Sequence, residues 1–204
     1  MVDVGSGSQR EILDYKLSRY SCYLIAQNGD PTKEPVALAQ TYFEMQTRKQ
    51  ELYEQLPEVS KRLMIRGEVT THNKRLAETA KKSGVTRFGT FNDAGYRGLY
   101  GMTHKSIQVK KGLGKDKVLD RAGATELAAN LFRITQTDEQ LKKHLDVGKV
   151  IGDRSATSTH FKIGGKVRQT IKDIGGTLPE HLKPEEDIGH IQKRLNAQEN
   201  KKIQ

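Results

Sequence analysis

The stretch 125-TELAANLFRITQTDEQLKKHL-145 decides the fold class, because its apolar residues recur every three or four positions, as on one face of a helix. The side chains of this stripe are Leu127, Leu131, Ile134, Leu141 and Leu145. Thr125 is a suitable N-cap, and Thr137 with Gln140 has the spacing of a capping box. The sequence therefore predicts a helix that begins at Thr125 and a second start at Thr137 that continues it.

The same helical spacing recurs on both sides of this stretch. It predicts helices over 18–27, from about 36 to 56, over 57–82 and over 159–174. Pro57 fits the first turn of the third of these segments, and Gly175-Gly176 ends the last. The intervening segment 84–125 carries eight glycines, which favour short helices joined by tight turns.

The remaining segments are typical of loops. Residues 2–9 and 148–158 are predicted as loops, and Ser158 or Thr159 is predicted to cap the helix that follows. Residues 183–204 form a polar tail with too few apolar residues to hold a helix firmly. The fold class is therefore mostly α: an irregular multi-helix protein with a glycine-rich middle segment.

The composition limits the functional classes. Among 204 residues, Lys and Arg number 35 and Asp and Glu 25, which gives a formal net charge of +10. Such a surplus attracts polyanions over a long range. The single cysteine, Cys22, excludes an internal disulfide, and its apolar neighbours predict a buried side chain. No apolar run reaches the roughly 20 residues of a membrane span, and no secretory stretch opens the sequence, so a cytoplasmic location is expected.

Three clusters of cations carry the positive charge. Residues 61–87 contain eight Lys or Arg against two acids, residues 97–121 seven against two, and residues 160–172 four against none. Clustered cations suit a polyphosphate, because each neutralised phosphate releases a counterion. The candidate nucleic-acid contacts are Arg97, Lys105, Lys110, Lys111, Lys115, Lys117, Lys162, Lys166 and Arg168. The alternative for each cluster is a solvated helix face. Tyr96 and Tyr100 either stack on unpaired bases or anchor the core.

Signatures of catalysis are missing from the sequence. The segment 95-GYRGLYG-101 lacks the Lys-Ser/Thr that completes a phosphate-binding loop, and one cysteine cannot build a typical zinc site. We therefore expect no enzymatic activity, no cofactor and no metal.

Several segments resemble known families. The segments 17-LSRYSCYLIAQNGDP-31 and 39-AQTYFEMQTR-48 resemble the later part of the BRO-type N-terminal domain of phage and bacterial regulators. The DNA-damage-inducible protein D family is similar in 98-GLYG-101, in 125-TELAANLFRITQT-137 and in 166-KVRQTI-171 followed by 175-GGTLPE-180. The resemblance spans roughly residues 2–182 and implies that the β-containing part of the BRO-like domain is absent from this chain. It divides the chain into a BRO-like remnant (1–56), a family-specific helical domain (57–182) and the polar tail (183–204).

The resemblance implies a link to the bacterial DNA-damage response and its recombination machinery, and it implies no catalytic residues. The expected function is that of an accessory protein that binds DNA, or a filament of the RecA recombinase on single-stranded DNA, through its basic surface. The alternative is a phage-type antirepressor that binds protein through a helical surface, and the competing interpretation of the same residues is an ordinary core. The residues of that surface are Leu38, Tyr42, Phe43 and Met45. We also expect a homodimer that covers the BRO-like remnant.

Overall fold

The computed structural model describes residues 2–4, 8–10 and 15–202, and the side chains of 15–197. The described helices are α1 (Arg19–Asn28), α2 (Glu34–Gln55), α3 (Glu58–Lys82), α4 (Phe88–Tyr100), α5 (His104–Lys110), α6 (Ala124–Asp146), α7 (Gly152–Asp173) and α8 (Ile188–Lys202). Two 3₁₀ turns cover Val118–Asp120 and Pro179–His181. The mostly α fold class is confirmed.

The chain divides into two compact units, Met1–Leu56 and Pro57–Gln204. In the first unit, the strands β1 (Val2–Val4) and β2 (Ser8–Arg10) pair antiparallel with Val2 opposite Arg10. The loop predicted over 2–9 is therefore wrong for 2–4 and 8–9, and its remaining residues 5–7 lie outside the described residues. Helices α1 and α2 of this unit pack on each other, with the ring centroids of Tyr23 and Phe43 5.3 Å apart.

The first unit leaves much of its apolar surface exposed. Ala26 is the buried residue of α1, and α2 has none. Cys22 is exposed, so the prediction of a buried cysteine is wrong. The apolar neighbours on which that prediction rested, Leu24 and Ile25, are themselves 42% and 59% exposed.

The second unit is built around α3, α4, α6 and α7. Its larger core is centred on α3 and α6 and includes Val69, Leu76, Leu127, Ile134 and Leu141. A smaller core joins the end of α4, α5, the first 3₁₀ turn and α7. The members of this smaller core are Leu99, Tyr100, Ile107, Leu113, Val118 and Val167.

Helices α4 and α7 approach each other closely because glycines line their contact. A Cβ atom on Gly98 would lie 2.3 Å from the carbonyl oxygen of Phe161, and one on Gly164 would lie 2.9 Å from that of Gly95. Both distances are too short for a real Cβ contact. The glycines of the middle segment therefore serve packing as well as turns.

Three predicted helix starts are wrong. The helix α6 runs without a break through Thr137, whose hydroxyl donates to the carbonyl of Arg133 one turn earlier (2.7 Å) instead of capping a new helix. The N-cap of α6 is Gly123 rather than Thr125. Helix α7 begins at Gly152, so most of the loop predicted over 148–158 is helical, and neither Ser158 nor Thr159 is a cap.

The C-terminal segment is held more firmly than its composition suggested. Ile188 and Ile191 of α8 are buried, and Ile188 joins the larger core. The buried guanidinium of Arg62 in α3 donates to the carbonyls of Asp120, Ala122 and Glu186, which fixes the start of this segment. Two well-placed isoleucines and one arginine thus compensate for the low apolar content.

Candidate nucleic-acid interface

The interface is built on α5 and the turn that follows it. The hydroxyl of Thr103 caps α5 by accepting from the amide of Ser106 (3.1 Å), and Ile107 anchors the helix in the smaller core. Beyond the helix, Gly112 and Gly114 have φ angles of +62° and +58°, which glycine adopts without strain. The short helix and its tight turn therefore present their lysines from a fixed backbone.

The acidic residues of this segment are paired with arginines. Asp116 accepts from Arg121 at 2.8 Å, and Asp120 accepts from Arg66 of α3 at 2.6 Å. The side-chain amide of Gln108 donates to the carbonyl oxygen of Asp116 (2.9 Å) and holds the turn to α5. Both carboxylates are thus paired with arginines rather than with the lysines of this segment.

Five of the nine predicted contacts are exposed in the segment 97–117. They are Arg97, Lys105, Lys110, Lys115 and Lys117. Within 15–197, where side chains are described, none of the five forms an ion pair with a carboxylate. Lys105 and Lys110 border one surface depression of about 510 Å³, together with Met102 and Val109.

Lys111 lies apart from these five although it follows Lys110 directly. Its side chain is 4% exposed, and its Nζ atom donates to Oε2 of the buried Glu126 at 2.6 Å. Burial raises the pKa of Glu126, and the bond from Lys111 opposes that rise. The charge of Lys111 is therefore paired with a carboxylate inside the protein and does not face solvent.

Arg168 is also engaged in an internal ion pair. Its Nη1 and Nη2 atoms donate to both carboxylate oxygens of Glu180, at 2.8 and 2.5 Å, and Nη1 also donates to the carbonyl of Leu99. The bidentate pair raises the pKa of Arg168, and the hydrogen bond from Arg168 helps to lower the pKa of the largely buried Glu180. Arg168 therefore ties α7 to α4 and to the second 3₁₀ turn.

Lys162 and Lys166, the remaining two predicted contacts, are exposed on α7 one turn apart. They border a groove between α6 and α7 that also contains Phe132. Val167 and Ile171 line this groove. Val167 belongs to the smaller core that anchors α5, and Ile171 packs against that core.

A buried polar network that was not predicted from the sequence begins at Lys111. The hydroxyl of Tyr100 donates to Glu126 (2.8 Å) and accepts from the amide of Asn130 (2.8 Å), whose oxygen accepts from Arg133 (2.9 Å). Burial raises the pKa of Tyr100 well above its ordinary value. Tyr100 is fully buried, so of its two interpretations, a base-stacking residue or a core anchor, the core anchor is correct.

The network ends at His160 of α7. Its Nε2 atom lies 2.6 Å from Nη1 of Arg133, and its Nδ1 atom lies 3.1 Å from the carbonyl oxygen of Phe91. Burial and the charge of Arg133 lower the pKa of His160 well below its usual range. The neutral ring therefore donates from Nδ1 and accepts at Nε2.

One sequence signal would have revealed this network. Glu126, Asn130, Arg133 and Thr137 recur every three or four residues along α6, so they form a polar stripe beside the apolar one. A helix with two buried stripes is enclosed on more than one side. In the structure the whole polar stripe is buried, together with Leu127, Ile134 and Leu141 of the apolar one.

Two kinds of feature, a metal-binding cluster and a membrane-spanning helix, are absent from the described residues. Within 15–197, no group of three or more His, Cys, Asp or Glu side chains is placed to bind a metal ion. Of the helices described, none is long and apolar enough to span a bilayer.

Comparison with known proteins places this chain in a family. Residues 56–191 match the family model of the DinD C-terminal domain. The chain is also similar to the DNA damage-inducible protein D of Escherichia coli (strain K12), with 48% identity over 212 residues that cover 98% of this chain and 76% of the relative. The interface segment, the buried network and α7 all lie inside the matched region. The chain therefore belongs to the DinD family of DNA damage-inducible proteins.

Proposed function

We propose that this protein is a non-catalytic accessory protein of the bacterial DNA-damage response. It binds DNA, or a RecA recombinase filament on single-stranded DNA, through the basic surface formed by Arg97, Lys105, Lys110, Lys115 and Lys117. The role in the damage response is taken from the name of the E. coli relative, DNA damage-inducible protein D. The binding role rests on these five exposed cations.

One observation carries the proposal: the carboxylates beside these cations are already bound to Arg66 and Arg121. A lysine that faces solvent without a carboxylate partner can exchange its counterion for a phosphate. Lys111 and Arg168 are left out because their charges are paired inside the protein. Lys162 and Lys166 stay exposed and add to the positive field of this unit.

A salt titration tests the proposal. If all five cations contact phosphates, the slope of log K against log salt is about −3.5 on a single strand and about −4.5 on a duplex. Binding is measured by fluorescence anisotropy on a labelled oligonucleotide in both forms, with and without RecA. The reversal Lys110→Glu/Lys115→Glu/Lys117→Glu is expected to weaken binding and flatten the slope.

The matched control is Lys149→Glu/Lys183→Glu/Lys193→Glu. These three lysines are exposed in the same unit but outside the surface, and their reversal changes the net charge by the same amount. The control is expected to keep the steep slope. Equal losses in both variants would show that only the total charge matters and would remove this surface from the proposal.

A second candidate function is protein binding through α2, as in a phage-type antirepressor. Its specific support is the exposed stripe Leu38, Tyr42 and Met45, which are 64%, 46% and 56% exposed. Phe43 differs, because it packs on Tyr23. Retention of a partner from nuclease-treated extract by the wild type, but not by Leu38→Ser/Met45→Ser, favours this candidate.

The same stripe is the basis on which we propose a homodimer. Leu38, Tyr42, Met45, Leu52 and Leu56 follow a spacing of three, four or seven residues, as in the seam between two paired helices. Light scattering is expected to give twice the monomer mass for the wild type and the monomer mass for Leu38→Ser/Met45→Ser. A monomer mass for the wild type would exclude the dimer.

A further inference from the structure

The groove between α6 and α7 has the properties of a docking site. Its volume is about 530 Å³, and its apolar lining includes Ala129, Ile163 and Ile171. Phe132 stands in this groove with 56% of its surface exposed. Contiguous exposed apolar surface with a polar rim is the usual mark of an interaction site.

The charge of the groove has one sign. Lys162 and Lys166 lie on the α7 wall, while the α6 wall contributes the neutral amides of Gln136 and Gln140. No Asp or Glu lines the groove, and within 15–197 neither lysine is paired with a carboxylate. An occupant with negative charges along one edge would therefore gain from both lysines.

The dimensions of the groove suit a short helix. The lining residues run from Ala129 to Gln140 on α6 and from Thr159 to Ile171 on α7. At the rise of an α-helix these spans measure about 16 and 18 Å, which is about three helical turns. A third helix laid along two packed helices buries its apolar stripe in such a groove.

We propose that this groove binds an acidic amphipathic helix of a partner protein. The apolar stripe of that helix lies on Phe132, Ile163 and Ile171, and carboxylates on its flank face Lys162 and Lys166. This interaction goes beyond the proposed function, because the groove contains none of the five cations proposed to contact DNA.

A protein helix fits the groove better than a nucleic acid does. Bases gain most of their binding energy by stacking on aromatic rings or guanidinium planes. Phe132 is the one aromatic residue among the lining side chains, and the rest of the apolar lining is aliphatic. Both cations also lie on the same wall, which matches the charged flank of a helix.

A peptide display library tests the proposal without a known partner. Each 16-residue member carries a fixed leucine stripe at helical spacing, with Glu, Lys or Gln at the flanking positions. The library is selected on the full chain, and the charge of the enriched members is the readout. We expect Glu to be enriched over Lys by about tenfold or more on the wild type.

Charge reversal supplies the decisive comparison. On Lys162→Glu/Lys166→Glu the preference should switch to Lys, whereas the control Lys149→Glu/Lys183→Glu should keep the preference for Glu. If the preference for Glu is the same on the groove variant as on the wild type, or if no peptide is enriched at all, the proposal is overturned.

A competition arm covers the other class of occupant. A 15-nucleotide oligo(dT) is added to the complex of the wild type with the best enriched peptide. If the oligonucleotide displaces the peptide and the groove variant no longer binds oligo(dT), the groove is a nucleic-acid site and the proposal is wrong. If oligo(dT) binding is lost only in the Lys110/Lys115/Lys117 variant, the groove is not a nucleic-acid site and the proposal of a bound helix stands. The two proposals therefore fail separately.

Discussion

The substitution Lys111→Met probes the buried ion pair that fixes the end of α5. In the wild type, Nζ of Lys111 lies 2.6 Å from Glu126, and the two side chains are 4% and 0% exposed. Methionine fills the same space but leaves Glu126 with the hydroxyl of Tyr100 as its one remaining side-chain donor. An uncompensated buried charge of this kind costs about 3–5 kcal/mol. That loss is a large share of the roughly 5–15 kcal/mol of a typical domain.

The cost should depend on pH. The folded-state pKa of Glu126 is already raised above its ordinary value of 4.5, so the stability linked to this carboxyl is present below pH 4.5 and is lost as pH rises through the folded-state pKa. Removal of Lys111 raises that pKa further and extends the loss. The difference between wild type and variant should therefore grow as the pH rises from about 5 to about 7.5.

Urea unfolding followed by circular dichroism measures the difference at both pH values. Lys110→Met is the matched control, because this neighbouring lysine is exposed, and it should cost less than about 0.5 kcal/mol. The double variant Lys111→Met/Glu126→Gln should recover part of the loss, since it removes the buried charge itself. Equal costs for Lys110→Met and Lys111→Met, or a loss that does not grow with pH, would refute the reasoning.

Three more predictions follow from the interior of the second unit. Gly98→Ala places a Cβ atom 2.3 Å from a backbone oxygen and should cost more than about 2 kcal/mol, while Gly67→Ala, with open space around it, should be neutral or stabilising by up to about 1 kcal/mol in thermal or urea unfolding. Arg62→Ala leaves three carbonyls without their donor and should cost about 3 kcal/mol, with faster amide exchange in α8; an unchanged exchange rate there would count against this role. The lowered pKa of His160 stabilises the fold above its ordinary pKa of 6.5, so stability should fall as pH drops from 6.5 through the folded-state pKa, and this dependence should be missing in His160→Asn.

Periodicity predicted most of the helices, and α3, α6 and α7 do bury residues at helical spacing against their neighbours. The predicted segments 57–82 and 159–174 overlap α3 and most of α7. Helix boundaries were predicted wrongly where a local sequence pattern is compatible with two different structures. Thr137 and Gln140 have the spacing of a capping box, yet the same spacing occurs wherever a buried hydroxyl bonds back to its own helix.

The candidate surface was only partly predictable, because the sequence gives the number of charges but not their partners. Asp116 and Asp120 were counted against the cations of their own segment, whereas one of them binds Arg66, far away in sequence. Glu180 likewise binds Arg168 across a turn that no periodicity describes. Ion pairs between distant elements depend on tertiary packing, so a net charge per segment neither finds them nor excludes them.

Lys110 and Lys111 show how the fold separates charges that the sequence places side by side. On a helix, consecutive residues point about 100° apart, so one of two adjacent lysines can face solvent while the other faces the core. Ile107 is buried, and Lys111, four positions later, lies on the same face. The Lys111 ammonium meets Glu126 there and secures the end of α5, while Lys110 stays exposed on the anchored helix. The internal pair thus holds in place the helix that carries two of the proposed DNA contacts, Lys105 and Lys110, although it makes no such contact itself.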